Sequence, residues 1–474
     1  MNYSSEKIDR FGLPITTTSQ KAVDLYVEGL DRILSGNTGA EASLRAAIDE
    51  DEGFAMAYAA LSGLDMRQRR FQDARSNAER ARELTSGLTR RERSHVETTT
   101  EMILGRMPNT MKLTEEHLQE FPGDANILQQ YTYLNFGAGD RERNARTLGI
   151  IERIEEAYGD EWYYTGTRSF YLHELDRFDE SRHYAERSLS GNPRNGNASH
   201  NMAHCFYETS DYTGGIEFIA EWIDAYDARA PFFSHLNWHL ALFELTQGRY
   251  KRAHEIYRQT IRPSVLEQAG GLGPPIADAT SLLWRFRLYG YPVSADEWDE
   301  VATFSRDSVN AGSYAWQDMH AALALAATGD TTTLDAMTER LRRRAERGNT
   351  MDAEVTLPLV RGIEAFARGA YDETVKLIEP IAPEMVRLGG SRAQRQVFEE
   401  TLLQAYLNAE QYEKAEGMLR KRLEHRHSAR DFFWLAEAQQ ASGDLAGVAA
   451  SLRTVREDWS GADADGPELA ALKS

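Results

Sequence analysis

A signal for helix hairpins recurs every 33 to 42 residues along almost the whole chain. In 415-AEGMLRKRLEHRHSARDFFWLAEAQQASGDLAGV-448 a helical run ends at Gly443. A hydrophobic residue follows two positions on, and a second amphipathic helix begins. Turns of this form stand at Gly105-x-Met107, Gly139-x-Arg141, Gly248-x-Tyr250, Gly290-x-Pro292, Gly329-x-Thr331, Gly369-x-Tyr371 and Gly443-x-Leu445. Degenerate versions stand at Arg69-x-Phe71, Asp176-x-Phe178, Ser210-x-Tyr212 and Glu410-x-Tyr412. Self-similarity at such a period marks a repeat architecture, in which each unit buries its apolar face on its neighbours. The period fits helix–turn–helix repeats, and strand-like alternation is scarce. The expected fold is therefore all-α: a superhelical α-α solenoid of about eleven helix hairpins.

Composition narrows the partners. The formal charge is −20, with acidic residues spread along the chain. This argues against a nucleic-acid partner, which calls for a basic footprint, and against docking on anionic membrane. No apolar run approaches the length that spans a bilayer. The N-terminal stretch 1-MNYSSEKIDRFGLPITTTSQ-20 has no apolar core of signal-peptide length. The single cysteine, Cys205, excludes a disulfide framework and points to a reducing cytoplasm.

Along the chain, residues 1–35 read as an extended lead-in followed by one helix, 19-SQKAVDLYVEGLDRIL-34. Residues 36–474 read as one continuous array of repeats. Ala60, Ala74, Ala78 and Ala81 are small residues where paired helices must approach closely. Pro122 and Pro193 follow second helices, where proline stops a helix. Two stretches interrupt the register, the Gly/Pro-rich 263-PSVLEQAGGLGPPIADAT-280 and the loop 386-VRLGGSRAQRQ-396. Insertions inside a repeat array often map to the binding face. The whole pattern resembles the tetratricopeptide repeat, with Gly248, Tyr250 and Ala253, and again Tyr412 and Ala415, at the expected offsets.

Polar residues concentrate between 198 and 320, with a late contribution from 386–396. His200, His204 and Glu208 lie at i, i+4 and i+8, within about 80° on a helix wheel. His235 and His239 share one face of the next unit's first helix. Asp278, Ser281, Trp284 and Arg285 follow, then Asp318 and His320, then Ser391, Arg392 and Arg395. These five histidines fall on first helices, whose free faces line the concave side of such a solenoid. The segments 9-DRFGLPITTTSQKAVDLYVEGL-30, 200-HNMAHCFYE-208, 235-HLNWHLALFELTQGRYKRAHEIY-257, 278-DATSLLWRFRLYG-290, 317-QDMHAALALAATGD-330 and 389-GGSRAQRQVF-398 together resemble the tetratricopeptide repeat protein 38 family. That resemblance implies a tetratricopeptide solenoid and carries over no biochemical activity.

These residues lead to one site with three functional readings. The first is binding of a small polar or anionic ligand in the concave groove, with His200, His235, Asp278, Arg285, His320 and Arg395 as contacts. The second is hydrolysis of a small molecule, with His204, His239 and Glu208 in acid–base roles, metal-assisted or not. The third is a scaffold gripping a protein partner. A His pair at i, i+4 is able to bind zinc, but the H-E-x-x-H signature is absent, so no residue is assigned as a metal ligand and no cofactor is named. Clustering in the middle units favours a small ligand over an extended chain. Against these stand plainer assignments. Trp238 and Trp284 are expected as core packing, Cys205 as buried packing and Ser391 as a helix cap. Arg285 and Arg395 are expected either on a ligand or in internal ion pairs with Asp278 or Asp318.

Overall fold

The computed structural model describes residues 7–137, 139–266, 274–310 and 314–473. Helices follow one another along the whole described chain, from Gln20–Ser35 to Pro467–Ala471. The only sheet among the described residues is a two-stranded antiparallel pair, Lys7–Ile8 with Pro14–Ile15. The fold is all-α and of the tetratricopeptide-like helical-repeat type, as the period requires. Among the described residues no helix is long and apolar enough to cross a membrane.

The turns explain why the period is so regular. All eleven predicted turn residues have positive φ, from 57° at Glu410 to 79° at Gly443. Arg69, Asp176, Ser210 and Glu410, the degenerate versions, are the described non-glycine residues with that conformation. At Gly369 the N–H donates to the Phe366 carbonyl, and the next N–H, of Ala370, donates to Ala365. The same pair closes the helix at Arg69, Gly105, Asp176, Ser210, Gly248, Gly290, Gly329, Glu410 and Gly443. Two carbonyls that the helix end would leave without partners are satisfied in this way.

The second helix then starts two residues on, as at Phe71–Glu83, Phe178–Gly191, Tyr212–Ile223, Tyr371–Ile378 and Tyr412–His425. Gly290 differs, because its next helix begins at Ala295. Pro292 has no N–H to give, and the start is set instead by Ser294. The Ser294 hydroxyl accepts from the Glu297 N–H at 3.3 Å, and the Glu297 carboxylate accepts from the Ser294 N–H at 3.1 Å.

Small residues sit where hairpin helices meet: Ala60, Ala74, Ala78 and Ala81 are each no more than 2% exposed. Helices end at Glu120 and Gly191, just before Pro122 and Pro193. Of the expected interruption at 263–280, residues 267–273 lie outside the described residues. Its flanks, Arg262–Leu266 and Pro274–Leu288, are helical. The second interruption narrows to Gly389–Ser391, between a 3-10 stretch ending at Leu388 and a helix beginning at Arg392.

By its contacts the chain forms two compact units. The first comprises Met1–Ala138, Glu142–Asn201 and Tyr226–Phe232. The second comprises Gly139–Arg141, Met202–Ala225 and Phe233–Ser474. Within the first, one apolar cluster gathers Tyr26, Leu44, Phe54 and Val96, and another gathers Leu118, Ile127, Tyr131, Tyr164 and Leu172.

The left-handed turns give a paired test. At Gly369 a Cβ would meet nothing within 4 Å, so Gly369→Ala tests the backbone alone. It is expected to cost about 1–2 kcal/mol. Glu410→Gly relieves the same strain and is expected to gain up to about 1 kcal/mol. Urea denaturation of both variants checks the signs. A stabilised Gly369→Ala would contradict the role given to these turns.

Candidate functional site

Within the second unit the site is built on the helix Phe233–Thr246, whose residues from His235 to Leu245 are all buried. His235 and His239 stand one turn apart on it, with ring centroids 4.9 Å apart and nearly perpendicular. The His204 ring, from the helix Gly196–Glu208, meets the His239 ring at 4.5 Å and 81°. One ring nitrogen from each of His204, His235 and His239 lies within 4.8 Å of the others. Trp238 stacks on His235 at 5.2 Å and 12°, and its indole N–H donates to Ser281 Oγ at 3.1 Å.

From the helix Pro274–Leu288, Asp278 Oδ1 lies 2.7 Å from His235 Nδ1. Burial pushes the Asp278 carboxyl up, while the neighbouring His235 pulls it down. With Asp278 ionised, this geometry puts the His235 proton on Nδ1 and the lone pair on Nε2.

The remaining predicted residues take separate places. Arg285 is 1% exposed and turns away from Asp278 toward Glu400, Nε to Oε2 3.3 Å. It also donates to the Ala393 carbonyl at 2.8 Å. Tyr289 donates to the same Glu400 oxygen at 2.9 Å. Asp318 pairs with Arg340 and, at 3.9 Å, with Arg344. The internal ion pairs weighed for Arg285 therefore exist, but with Glu400 as partner. Arg395 donates to the carbonyls of Gly389, at 3.1 Å, and Gly390, and so closes its own loop. Ser391 caps its helix in a reciprocal pair with Gln394. Glu208 sits 3.9 Å from Arg392. Trp284 and Trp238 are fully buried, and Cys205 is 1% exposed.

His320 packs on Trp316 and Phe398 and donates from Nδ1 to the Trp316 carbonyl at 2.9 Å. His200 lies one turn before His204 on the same helix but belongs to the first unit, beside Phe170 and Phe232. Sequence reasoning missed Glu400. The available signal was chemical: a buried arginine calls for a carboxylate.

The site is also drier than expected. His204, His239, Asp278 and His320 have no exposure, so they occupy the interior of the unit and not a solvated face. At His320 the helix Arg392–Asn408 contributes to this. In a simple stack each repeat touches only its neighbours. Here Thr401 accepts from the Trp284 indole at 2.9 Å, and Phe398 covers His320. A late helix thus closes over residues far earlier in the chain, Trp284 lying 117 positions before Thr401.

No family model matches the chain. Among solved structures, the human IFIT1 dimer with m7Gppp-AAAA aligns over 97% of this chain and 97% of its own, with TM-score 0.42 and 12% identity. The human IFIT1 dimer with PPP-AAAA aligns over 96% of each chain, with TM-score 0.39 and 12% identity. So low a likeness assigns no ligand to this chain. It does correct one expectation. The exclusion of nucleic acid, drawn from the −20 charge, is withdrawn, because solved chains aligned over nearly the full length hold capped and triphosphate oligoadenylate. Net charge sums over a whole surface, whereas binding responds to charges within a Debye length, about 8–10 Å.

Burial has a measurable consequence at His320. Desolvation, with Arg285 adding to it and the Trp316 carbonyl opposing it, lowers its pKa from 6.5 to about 3. The unfolded chain therefore takes up a proton below pH 6.5 that the folded chain refuses until about pH 3. The contribution is complete above pH 6.5 and is lost as pH falls through that window. His320→Gln is expected to flatten the fall in stability between about pH 6 and 4 by up to roughly 1.4 kcal/mol per pH unit. Urea midpoints of both proteins across that range check this.

Proposed function

We propose that this chain is a bacterial, cytoplasmic member of the tetratricopeptide repeat protein 38 family whose second unit holds a divalent transition-metal ion. His204, His235 and His239 are the ligands, and the ion in turn holds a small polar or anionic ligand. The observation that carries this reading is the approach of three imidazole nitrogens to within 4.8 Å of one another. Tetrahedral zinc, at 2.0–2.1 Å from each nitrogen, needs them roughly 3.4 Å apart, so the rings close by about 1 Å or less each. Imidazole donors suit zinc, copper, iron or nickel. Three protein ligands leave a coordination position open. Asp278 supports the set from behind, since a carboxylate on the far nitrogen of a ligating histidine fixes its tautomer and orientation. A metal bound here would polarise an oxygen of the bound ligand.

Hydrolysis is the second reading. The His235–Asp278 pair, 2.7 Å apart, is the arrangement of an oriented general base. A role in gripping a protein chain is not favoured for these side chains, because they are interior. The single Cys205, itself buried, fits a reducing cytoplasm.

Metal analysis of tag-free protein is expected to find close to one equivalent of a first-row transition metal. Metal-free protein titrated with Co2+ is expected to develop visible absorption bands. His239→Ala should abolish them, and Asp278→Asn should weaken affinity by about 10–100-fold. Because both residues are buried, circular dichroism must first show each variant folded. Absence of bound metal, together with a flat Co2+ titration of the folded wild type, would sink this reading.

A further inference from the structure

A second group of polar side chains lies in the first unit, on three consecutive helices that the repeat pattern alone does not connect. Ser94 is on Arg90–Ile103, His117 is on Met107–Glu120, and Asp124 caps Ala125–Phe136. His117 Nδ1 is 2.9 Å from Ser94 Oγ, and its Nε2 is 3.2 Å from Asp124 Oδ2. The same carboxylate oxygen meets His95 Nδ1 at 2.9 Å and accepts from Arg91 Nη1 at 3.0 Å.

The proton positions follow from these contacts. Burial works against ionisation of Asp124, but the charge and hydrogen bonds of His95, His117 and Arg91 hold its carboxyl well below the usual range. An ionised carboxylate only accepts, so both imidazoles present N–H to it. A neutral His117 then carries its lone pair on Nδ1, facing the Ser94 hydroxyl. His95, kept neutral chiefly by burial, accepts at Nε2 from Asn126 at 3.4 Å. Every ring nitrogen in the cluster thereby has a consistent role.

These residues also meet the geometric requirement for a metal site. Arg91, however, already occupies the carboxylate oxygen that both rings share, and a dication there would be repelled by it. The hydroxyl, in contrast, is accessible. Ser94 is half-buried on the wall of a cleft of about 570 Å³, between the helices Arg90–Ile103 and Met107–Glu120. Arg90, Arg93, Glu97, Leu113, Glu116 and Glu120 share that wall, and Arg90 pairs with Glu120 at 2.6 Å. A volume in this range accommodates a small organic molecule.

We propose that Ser94, His117 and Asp124 form a nucleophilic relay that hydrolyses short-chain carboxylic esters bound in this cleft. Ser94 Oγ bonds to the ester carbonyl carbon as its proton passes to His117 Nδ1. Asp124 stabilises the imidazolium. The carbon–oxygen bond to the alcohol breaks, and the alcohol leaves with the proton from His117. Water then adds to the acyl-serine, giving its proton to His117. The acid departs as that proton returns to Ser94 Oγ. Roles in such a relay are set by geometry and not by which ring nitrogen serves.

The test uses the full-length protein and a fluorophosphonate probe, which traps serine nucleophiles. Labelling should map to Ser94 by mass spectrometry, vanish in Ser94→Ala and persist after metal is removed. That last condition separates this relay from the histidine centre of the second unit. Hydrolysis of p-nitrophenyl acetate should fall by roughly 10²–10⁴-fold in Ser94→Ala. Asp124→Asn, shown by circular dichroism and urea denaturation to be folded, should lower kcat with KM little changed. An unlabelled Ser94, or ester turnover indifferent to Ser94→Ala, would overturn the proposal.

Discussion

A helix that must reverse within three residues leaves its last carbonyls without partners, and this chain meets that constraint the same way at ten of its eleven repeat turns. One residue takes a left-handed conformation, and its N–H and the next return to the helix just ended. At Arg69, Asp176, Ser210 and Glu410 this happens with a side chain that disfavours it. The tolerance is informative. The two hydrogen bonds and the packing of the following helix outweigh a backbone cost of about 1–2 kcal/mol. At most hairpins turn geometry also sets where the second helix starts, two residues on.

The interior built on those turns is unusually polar, and its members come in partnerships. Arg285 with Glu400, Asp318 with Arg340 and His235 with Asp278 are pairs with little or no exposure of the acidic partner. Buried pairs of this kind add little net stability, because desolvation offsets attraction, but breaking one is costly. Each pair is satisfied only when its two helices pack in this register. The helix Arg392–Asn408 shows this, since it presents Ala393, Glu400 and Thr401 to the helix Pro274–Leu288 at hydrogen-bonding distance.

The two candidate sites share a device and differ in one neighbour. In each, a buried aspartate accepts from an imidazole and so decides which nitrogen keeps its lone pair. Among the described residues no arginine or lysine is paired with Asp278, and the rings grouped with His235 are histidines, which suits a metal ion. Asp124 shares its oxygen with Arg91, and the lone pair it creates on His117 faces a hydroxyl, which suits proton transfer. Position of one arginine separates the two chemistries.

Much of the fold was legible in the sequence because its causes are local. Left-handed turns, caps such as Ser391 with Gln394, and the i, i+4 spacing of His235 and His239 act over a few residues, so a one-dimensional reading reaches them. Burial and partner choice were not legible. Asp278 and Asp318 looked as suitable for Arg285 as Glu400, and only the return of the helix Arg392–Asn408 decided between them. The same return covered His320 and Trp284. His95, His117 and Asp124 carried no shared motif, since 29 residues separate His95 from Asp124 and each side chain looks ordinary on its own helix. The sequence by itself determined where the helices begin and end, through backbone sterics and hydrogen bonds that close within a turn. Tertiary structure alone decided which charged and ring-nitrogen groups face one another, because that depends on how helices distant in sequence pack side by side.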